Sequence, residues 1–398
     1  MHKPAVSKRA ARLVPFFLIP IFSLGAFATD MYLPCFVKIS EDFQTSITNL
    51  EWSLTLNFLG NITGVLLSGP LSDRFGRRPL LIIALQIFLM GCLLIIFSTT
   101  IHTLWMGRFI QGLGGATAPI IFASFRDLYR DKKYVQWLAI TGMVIALAPA
   151  LAPMLGAYIG DHFHWRYNFI LLFAVTITIF GFLIPYYPET IQEKKPLSLR
   201  TFFKTYKTMG LNREFFFYSS AAGFTLGSLF TLIVASPYVY LKFYGVSEIN
   251  FALISAMGVG TYLIGSLLNR RLIERFTSEQ LLRFGLMVQL VGGILLLWAG
   301  HESSDHFWFI RCFSLLHTFG MAFVFSNANG LSMKVFPGKE GAAASLFNFI
   351  ELFWTFLLMS FTTLSHDQSP WPLCFYTFLG SALALGCFYC VPKHTKLR

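Results

Sequence analysis

The chain has 398 residues, of which 55% are hydrophobic, 17% aromatic and only 13% charged. A soluble domain carries about 25% charged residues to keep its surface wet, and a disordered chain is poor in aromatics. Both classes are excluded, and an integral membrane protein remains. The formal charge of +12 arises from 31 basic against 19 acidic residues, and its placement along the chain decides what it means.

About 20 apolar residues cross a bilayer as a helix. In chain order, twelve stretches reach that length: 13–36, 50–72, 79–98, 103–125, 136–159, 167–187, 215–241, 249–269, 281–300, 307–331, 341–364 and 371–391. None alternates apolar and polar residues as the strands of a membrane barrel do. The prediction is an all-α membrane protein with twelve transmembrane helices. Ala26-Phe27-Ala28 has the form of a signal-peptide cleavage site, but the apolar run continues to Phe36, which predicts an uncleaved first helix.

Basic residues mark the cytoplasmic side of such a protein. One face collects Lys3, Lys8, Arg9 and Arg12; Arg74, Arg77 and Arg78; Arg126, Arg130, Lys132 and Lys133; Lys194, Lys195, Arg200, Lys204, Lys207 and Arg213; Arg270, Arg271, Arg275 and Arg283; Lys334 and Lys339; and Lys393, Lys396 and Arg398. Lys38, Arg166 and Lys242 fall on the other face, and Arg108 and Arg311 lie within stretches. Both termini are therefore expected in the cytoplasm, and the excess positive charge needs no nucleic acid to explain it. The six cysteines sit in or beside apolar runs and read as small hydrophobes. Cys387 and Cys390 form a CxxC without redox or metal surroundings.

The longest polar segment, 188–214, divides the stretches into six and six. It predicts two six-helix bundles, 1–187 and 215–398, joined by a cytoplasmic linker. Gly69-Pro-Leu71-Ser-Asp73-Arg74 echoes Gly265-Ser-Leu267-Leu-Asn269-Arg270, and Trp105-Met-Gly-Arg108 echoes Trp308-Phe-Ile-Arg311. Each pair lies six stretches apart, as expected of a parallel repeat about an axis normal to the membrane.

Gly69-Pro-Leu-Ser-Asp73-Arg74-Phe-Gly76-Arg77-Arg78 resembles the signature between the second and third spans of the major facilitator superfamily. Gly76 permits a tight turn, Asp73 can pair with Arg77 or Arg78, and Arg74 faces the anionic inner leaflet. The resemblance implies a conformational latch in these residues. Leu104-Trp-Met-Gly-Arg108-Phe-Ile-Gln111-Gly112-Leu-Gly114 resembles the fourth-span motif of proton-driven exporters in that superfamily. Ala148-Pro149-Ala-Leu-Ala152-Pro153-Met-Leu-Gly156-Ala157 resembles the antiporter motif, with alanine at two of its glycine positions. With Asp30-Met-Tyr-Leu-Pro34, Arg126-Asp127 and Ala235-Ser-Pro237-Tyr238, these segments together resemble the Bcr/CflA branch of drug:proton antiporters over nearly the whole chain. That resemblance implies a multi-pass inner-membrane exporter, most simply a monomer, that exchanges small amphipathic substrates for protons by alternating access.

Charges well inside the predicted spans are Asp30, Arg108, Arg311 and Glu351. Each costs roughly 2.5–3.5 kcal/mol at the bilayer centre, so each faces a cavity or a partner. Asp30 is the first candidate proton carrier, with Arg108 tuning it; the bland alternatives are a wetted helix-end carboxylate and an arginine that bonds backbone carbonyls. Glu351 is a second proton site, an anchor for cationic compounds, or a protonated carboxyl satisfied within its bundle. Arg311 reads first as structural. Tyr32, Gln111 and Tyr238 are candidate cavity residues.

Other motifs fail. Gly112-Leu-Gly114-Gly115 lies within a span and follows no strand, so it is no nucleotide loop. His301 and Asp305 have no third ligand, and no metal or other cofactor is expected. No GxxxxGK[ST] motif occurs. A membrane-embedded acyltransferase would need a polar catalytic cluster near one interface, and none is evident. Within the transporter class, a dedicated carrier of one metabolite, such as a siderophore or peptide, stands as the alternative to multidrug export.

Overall fold

The computed structural model describes residues 8–129, 131–191, 206–301, 307–337 and 340–392. Lys3, Arg130, Lys194, Lys195, Arg200, Lys204, Lys339, Lys393, Lys396 and Arg398, which contribute to the predicted charge asymmetry, lie outside these residues, as do His301's neighbour Asp305 and most of the predicted linker. The chain divides into two compact units. The first is Met1–Leu197 with Glu248–Leu253, and the second is Ser198–Ser247 with Ile254–Arg398.

The first unit holds α1 (Lys8–Asp30), a 3₁₀ turn (Leu33–Cys35), α2 (Phe36–Asp42), α3 (Ile47–Phe75), α4 (Arg77–Ile96), α5 (Ile101–Gly115), α6 (Ala118–Leu128), α7 (Asp131–His162) and α8 (Arg166–Tyr186). The second holds α9 (Arg213–Ser236), a π-helical turn (Pro237–Phe243), α10 (Glu248–Leu272, whose first residues group with the first unit), α11 (Ser278–His301), α12 (Phe307–Lys334), α13 (Glu340–Leu364) and α14 (Trp371–Tyr389). Among the described residues, eleven helical segments are long and apolar enough to cross a membrane.

The predicted count of twelve meets one departure. The stretch 103–125 folds as α5 and α6, interrupted at Ala116 and Thr117. Pro119 occupies the first turn of α6, where its missing N–H costs nothing but where α5 cannot continue through it. Neither piece alone has the length of a span. The leading helix of each unit also breaks beside a proline, into the 3₁₀ turn at Pro34 and into the π turn at Pro237.

Small residues set the helix spacing, as expected where no hydrophobic gradient drives helices together. A Cβ on Gly112 of α5 would lie 1.9 Å from the Asn57 carbonyl oxygen of α3, and one on Gly60 would lie 2.1 Å from the Phe109 carbonyl oxygen. The Asn57 amide nitrogen donates to the Arg108 carbonyl at 2.9 Å and ties the crossing.

The same contacts fix how the halves repeat. A Cβ on Gly64 would strike Leu113 and Ala116, and one on Gly265 would strike Phe319 and Ala322. Gly91 lies against the Gln111 backbone, and Gly292 against the His317 backbone. Gly114 lies against Phe88, and Gly320 against Gln289. In this register Leu71-Ser-Asp73-Arg74-Phe75 corresponds to Leu272-Ile-Glu274-Arg275-Phe276, Arg108 to Ser314 and Gln111 to His317. The pairings of Gly69 with Gly265 and of Arg108 with Arg311 read from the sequence are therefore shifted along the helices. They matched side-chain identities, whereas the backbone approach that builds the repeat depends on small residues.

Candidate transport site

Asp30 is the last residue of α1, where the helix gives way to the turn at Pro34, and it is 9% exposed. The Arg108 guanidinium, fully buried on α5, acts on it electrostatically without a direct ion pair. The negative end of the α1 dipole and the positive guanidinium act on the Asp30 charge in opposite senses. Arg108 Nη1 donates to the Ala28 carbonyl at 2.9 Å and to Gln111 Oε1 at 2.6 Å. Its carbon Cζ lies 4.8 Å from the centre of the Tyr32 ring and 5.8 Å from that of Phe169, a cation–π cradle. Nε and Nη2 of Arg108 have no hydrogen-bond partner among the described residues. One Arg108 nitrogen thus bonds a span 1 carbonyl, the bond that the structural reading of this residue expects.

Gln111 Nε2 donates to Cys92 Sγ at 3.2 Å, so the residue is used inside the first unit. Tyr32, expected at a cavity, is a buried packing residue there. Its ring meets Phe36 and Phe169, and its hydroxyl bonds Ser53 Oγ. Tyr238, in the π turn, packs edge-on against His366 with centroids 4.3 Å apart. In α7, with Pro149 and Pro153 inside the helix, a Cβ on Gly156 would lie 1.9 Å from the Met31 carbonyl oxygen. Ala152 and Ala157, the alanines at the two glycine positions of the motif, are buried beside it.

The loop signature folds into an ion-pair cluster at one end of the first unit. Arg77, 3% exposed, bonds Asp73 at 2.6 Å, Asp127 at 3.3 Å and the Ser72 hydroxyl. Glu189, at the start of the linker, was not singled out in the sequence. Its carboxylate accepts the Arg77 backbone N–H at 2.9 Å and the Arg78 backbone N–H at 3.4 Å, and so caps α4. Gly76 has φ +113°, and a Cβ there would lie 2.2 Å from Glu189 Oε2. Arg78 Nη2 donates to the Ile184 carbonyl at 2.6 Å. Thr190 donates to Asp127 at 3.4 Å, and Tyr187 shares a 2.7 Å hydrogen bond with Ser124. Arg74 lies over the ring of Phe75, and a Cβ on Gly69 would meet nothing within 4 Å. The signal for Glu189 was present as Pro188-Glu189-Thr190 after a span, but only the fold brings it to α4.

In the second unit, Glu351 on α13 is 4% exposed, and its Oε1 has no hydrogen-bond partner among the described residues. Arg311 donates to the Ile254 carbonyl of α10 and to Ser314 Oγ at 3.4 Å. His317 was missed in the sequence because nothing around it forms a motif. It is fully buried, with Nε2 2.9 Å from Ser228 Oγ and 3.3 Å from Gln289 Nε2.

Two helical units whose leading helices break beside prolines, with charges buried among apolar helices and a charged turn after α3, define a membrane transporter of the major facilitator class. The chain belongs to the major facilitator superfamily, whose family model matches residues 18–359. Within it, the chain is 29% identical over 327 residues to a bicyclomycin resistance protein homolog of Haemophilus influenzae, covering 81% of this chain and 82% of that one. It is 28% identical over 352 residues to the multidrug transporter MdfA of Yersinia pestis, covering 86% and 85%. The fold superposes on a D-xylose-proton symporter with TM-score 0.73 at 17% identity, over 95% of this chain and 98% of that one. It is thus a multi-pass inner-membrane transporter related to drug-resistance proteins, and not a member of an enzyme family.

Proposed function

We propose that the chain exports small amphipathic compounds in exchange for protons by alternating access. The supporting observation is the buried pair in the first unit: one carboxylate, Asp30, held within electrostatic reach of an arginine that retains two unpartnered donors. Asp30 carries the exchanged proton, and Arg108 sets its affinity. When Asp30 is charged, Arg108 offsets it and the carrier accepts substrate. Protonation frees Arg108 and favours return of the proton to the other side. Glu351 is the second buried carboxylate of the exchange. The Asp73–Arg77–Asp127–Glu189 cluster holds one conformational state, and both termini face the cytoplasm.

Substrate-driven proton release from vesicles carrying an imposed pH gradient tests this reading. Asp30→Asn, which imitates the protonated form, is expected to bind substrate but to lose coupled proton movement. Full proton exchange by that variant would remove Asp30 from the role.

A further inference from the structure

Cys387 and Cys390, a CxxC in the sequence, acquire a shared face in the fold. Cys387 lies in the last turn of α14, and Cys390 is its C-cap, with φ −81° and ψ −6°. The Cys390 backbone N–H is shared between the Gly386 and Cys387 carbonyls, each at 3.1 Å. The bond to Cys387 tightens the turn to three residues, and side chains three apart in such a turn eclipse one another. Both thiols therefore leave the helix on the same side, and neither is in a disulfide. Cys387 is half-buried and packs on the apolar core of the second unit, whereas Cys390 is exposed. A Cβ on Gly386, one turn before Cys390, would meet nothing within 4 Å, so that face is open. Of the other cysteines, Cys35, Cys92 and Cys374 are buried, and Cys312 is exposed on α12.

Spacing decides what two such thiols can hold. Cβ atoms three residues apart on a helix are about 5–6 Å from each other, whereas a disulfide needs about 3.5–4.5 Å. One atom between the sulfurs fits better, because two metal–thiolate bonds of about 2.3 Å in line put them about 4.6 Å apart. Soft thiolates select soft ions such as Cu(I). A structural zinc takes four protein ligands, and no cluster of three or more His, Cys, Asp or Glu occurs among the described residues. Hard cations take oxygen. We infer that Cys387 and Cys390 form a two-thiolate site for a soft monovalent ion, Cu(I) or its analogue Ag(I), at the end of α14. Binding is an exchange without redox change: two S–H bonds break, two metal–sulfur bonds form, and two protons leave to solvent. The core behind Cys387 fixes one ligand, and the exposed Cys390 admits the ion. On the proposed topology this end faces the cytoplasm, where thiols stay reduced; the site itself does not depend on the export reading.

The test titrates the purified full-length chain in lipid nanodiscs, without oxygen, with Zn(II) and with Cu(I) held in competition by bicinchoninate. One Cu(I) per chain is expected, with sulfur neighbours alone in the copper X-ray absorption spectrum and protons released as the ion binds. Cys387→Ser and Cys390→Ser are each expected to lose more than the roughly 10–100-fold that removing a residue that merely orients a ligand costs. Cys312→Ser should bind as the native chain does. So should His394→Ala: His394 follows Cys390 closely in the sequence, but a linear site is complete with two thiolates. Thermal unfolding checks that each variant folds. Unchanged Cu(I) affinity in Cys387→Ser or Cys390→Ser, or an equal loss in Cys312→Ser, overturns the site. An equal loss in His394→Ala, or tighter binding of Zn(II) than of Cu(I), overturns the two-thiolate assignment. Complete conversion to a Cys387–Cys390 disulfide by a mild oxidant, read from peptide masses, overturns the spacing argument.

Discussion

Gly76 shows how a single residue meets two separate demands. Its φ of +113° lies where only glycine is comfortable, and the Glu189 carboxylate occupies the space a side chain would need. Gly76→Ala is expected to cost about 1–3 kcal/mol from backbone strain alone, read as a lowered thermal unfolding temperature. Glu189→Ala removes the clash but not the strain, so Gly76→Ala should cost less when added to Glu189→Ala, which has already lost the α4 cap, than when made in the native chain. No further loss on adding Gly76→Ala to Glu189→Ala would show that the collision alone made glycine necessary. Asp73 is one of two carboxylates on Arg77, with Asp127 the other. Asp73→Asn should therefore reduce transport while membrane insertion, followed by fractionation and fluorescence, stays normal. Undiminished transport would reduce the cluster to a determinant of orientation.

Among the elements, the crossing of α3 and α5 carries the first unit's buried arginine. Gly60, Gly64 and Gly112 allow backbone contact, and the Asn57 amide bonds the Arg108 carbonyl one turn before Gly112. Replacing Gly112 by leucine pushes the helices apart and is expected to destabilise the unit by about 1–3 kcal/mol or more. Because Arg108 sits one turn away, Gly112→Leu should also reduce transport beyond its effect on the amount of folded protein. Transport per folded molecule, normalised by size-exclusion chromatography, measures this. A loss that tracks the folded fraction alone would separate the crossing from the site. By contrast, Gly69 lies in open space, so Gly69→Ala should be tolerated on packing grounds.

For the whole molecule, the expectation concerns orientation. The basic residues gather in alternate loops, and Arg74, Arg77 and Arg78 share the end of the first unit where Glu189 opens the linker. Reporter fusions after Arg213 and after Arg398 are expected to report a cytoplasmic location. Periplasmic activity at either point would overturn the orientation, and with it the count of crossings.

Membrane residence, helical class and the superfamily were all legible in the sequence. Each depends on composition, on runs of about 20 apolar residues or on a local motif, and these survive being read one residue at a time. Asp30, Arg108 and Glu351 were legible for the same reason, because a charge inside an apolar run is conspicuous without any partner. Their surroundings were not. That Arg108 bonds the Ala28 carbonyl and lies over Tyr32, that Glu189 caps α4, and that His317 stands where Gln111 stands in the other half are contacts between residues distant in sequence. The break of α5 from α6 was missed because hydropathy does not register a short interruption. The register of the repeat was misread because identity favours large, rare residues, while close helix packing is decided by glycines that any alignment weighs lightly. Only the tertiary structure places backbone against backbone, and so only it decides which small residue in one half answers which in the other.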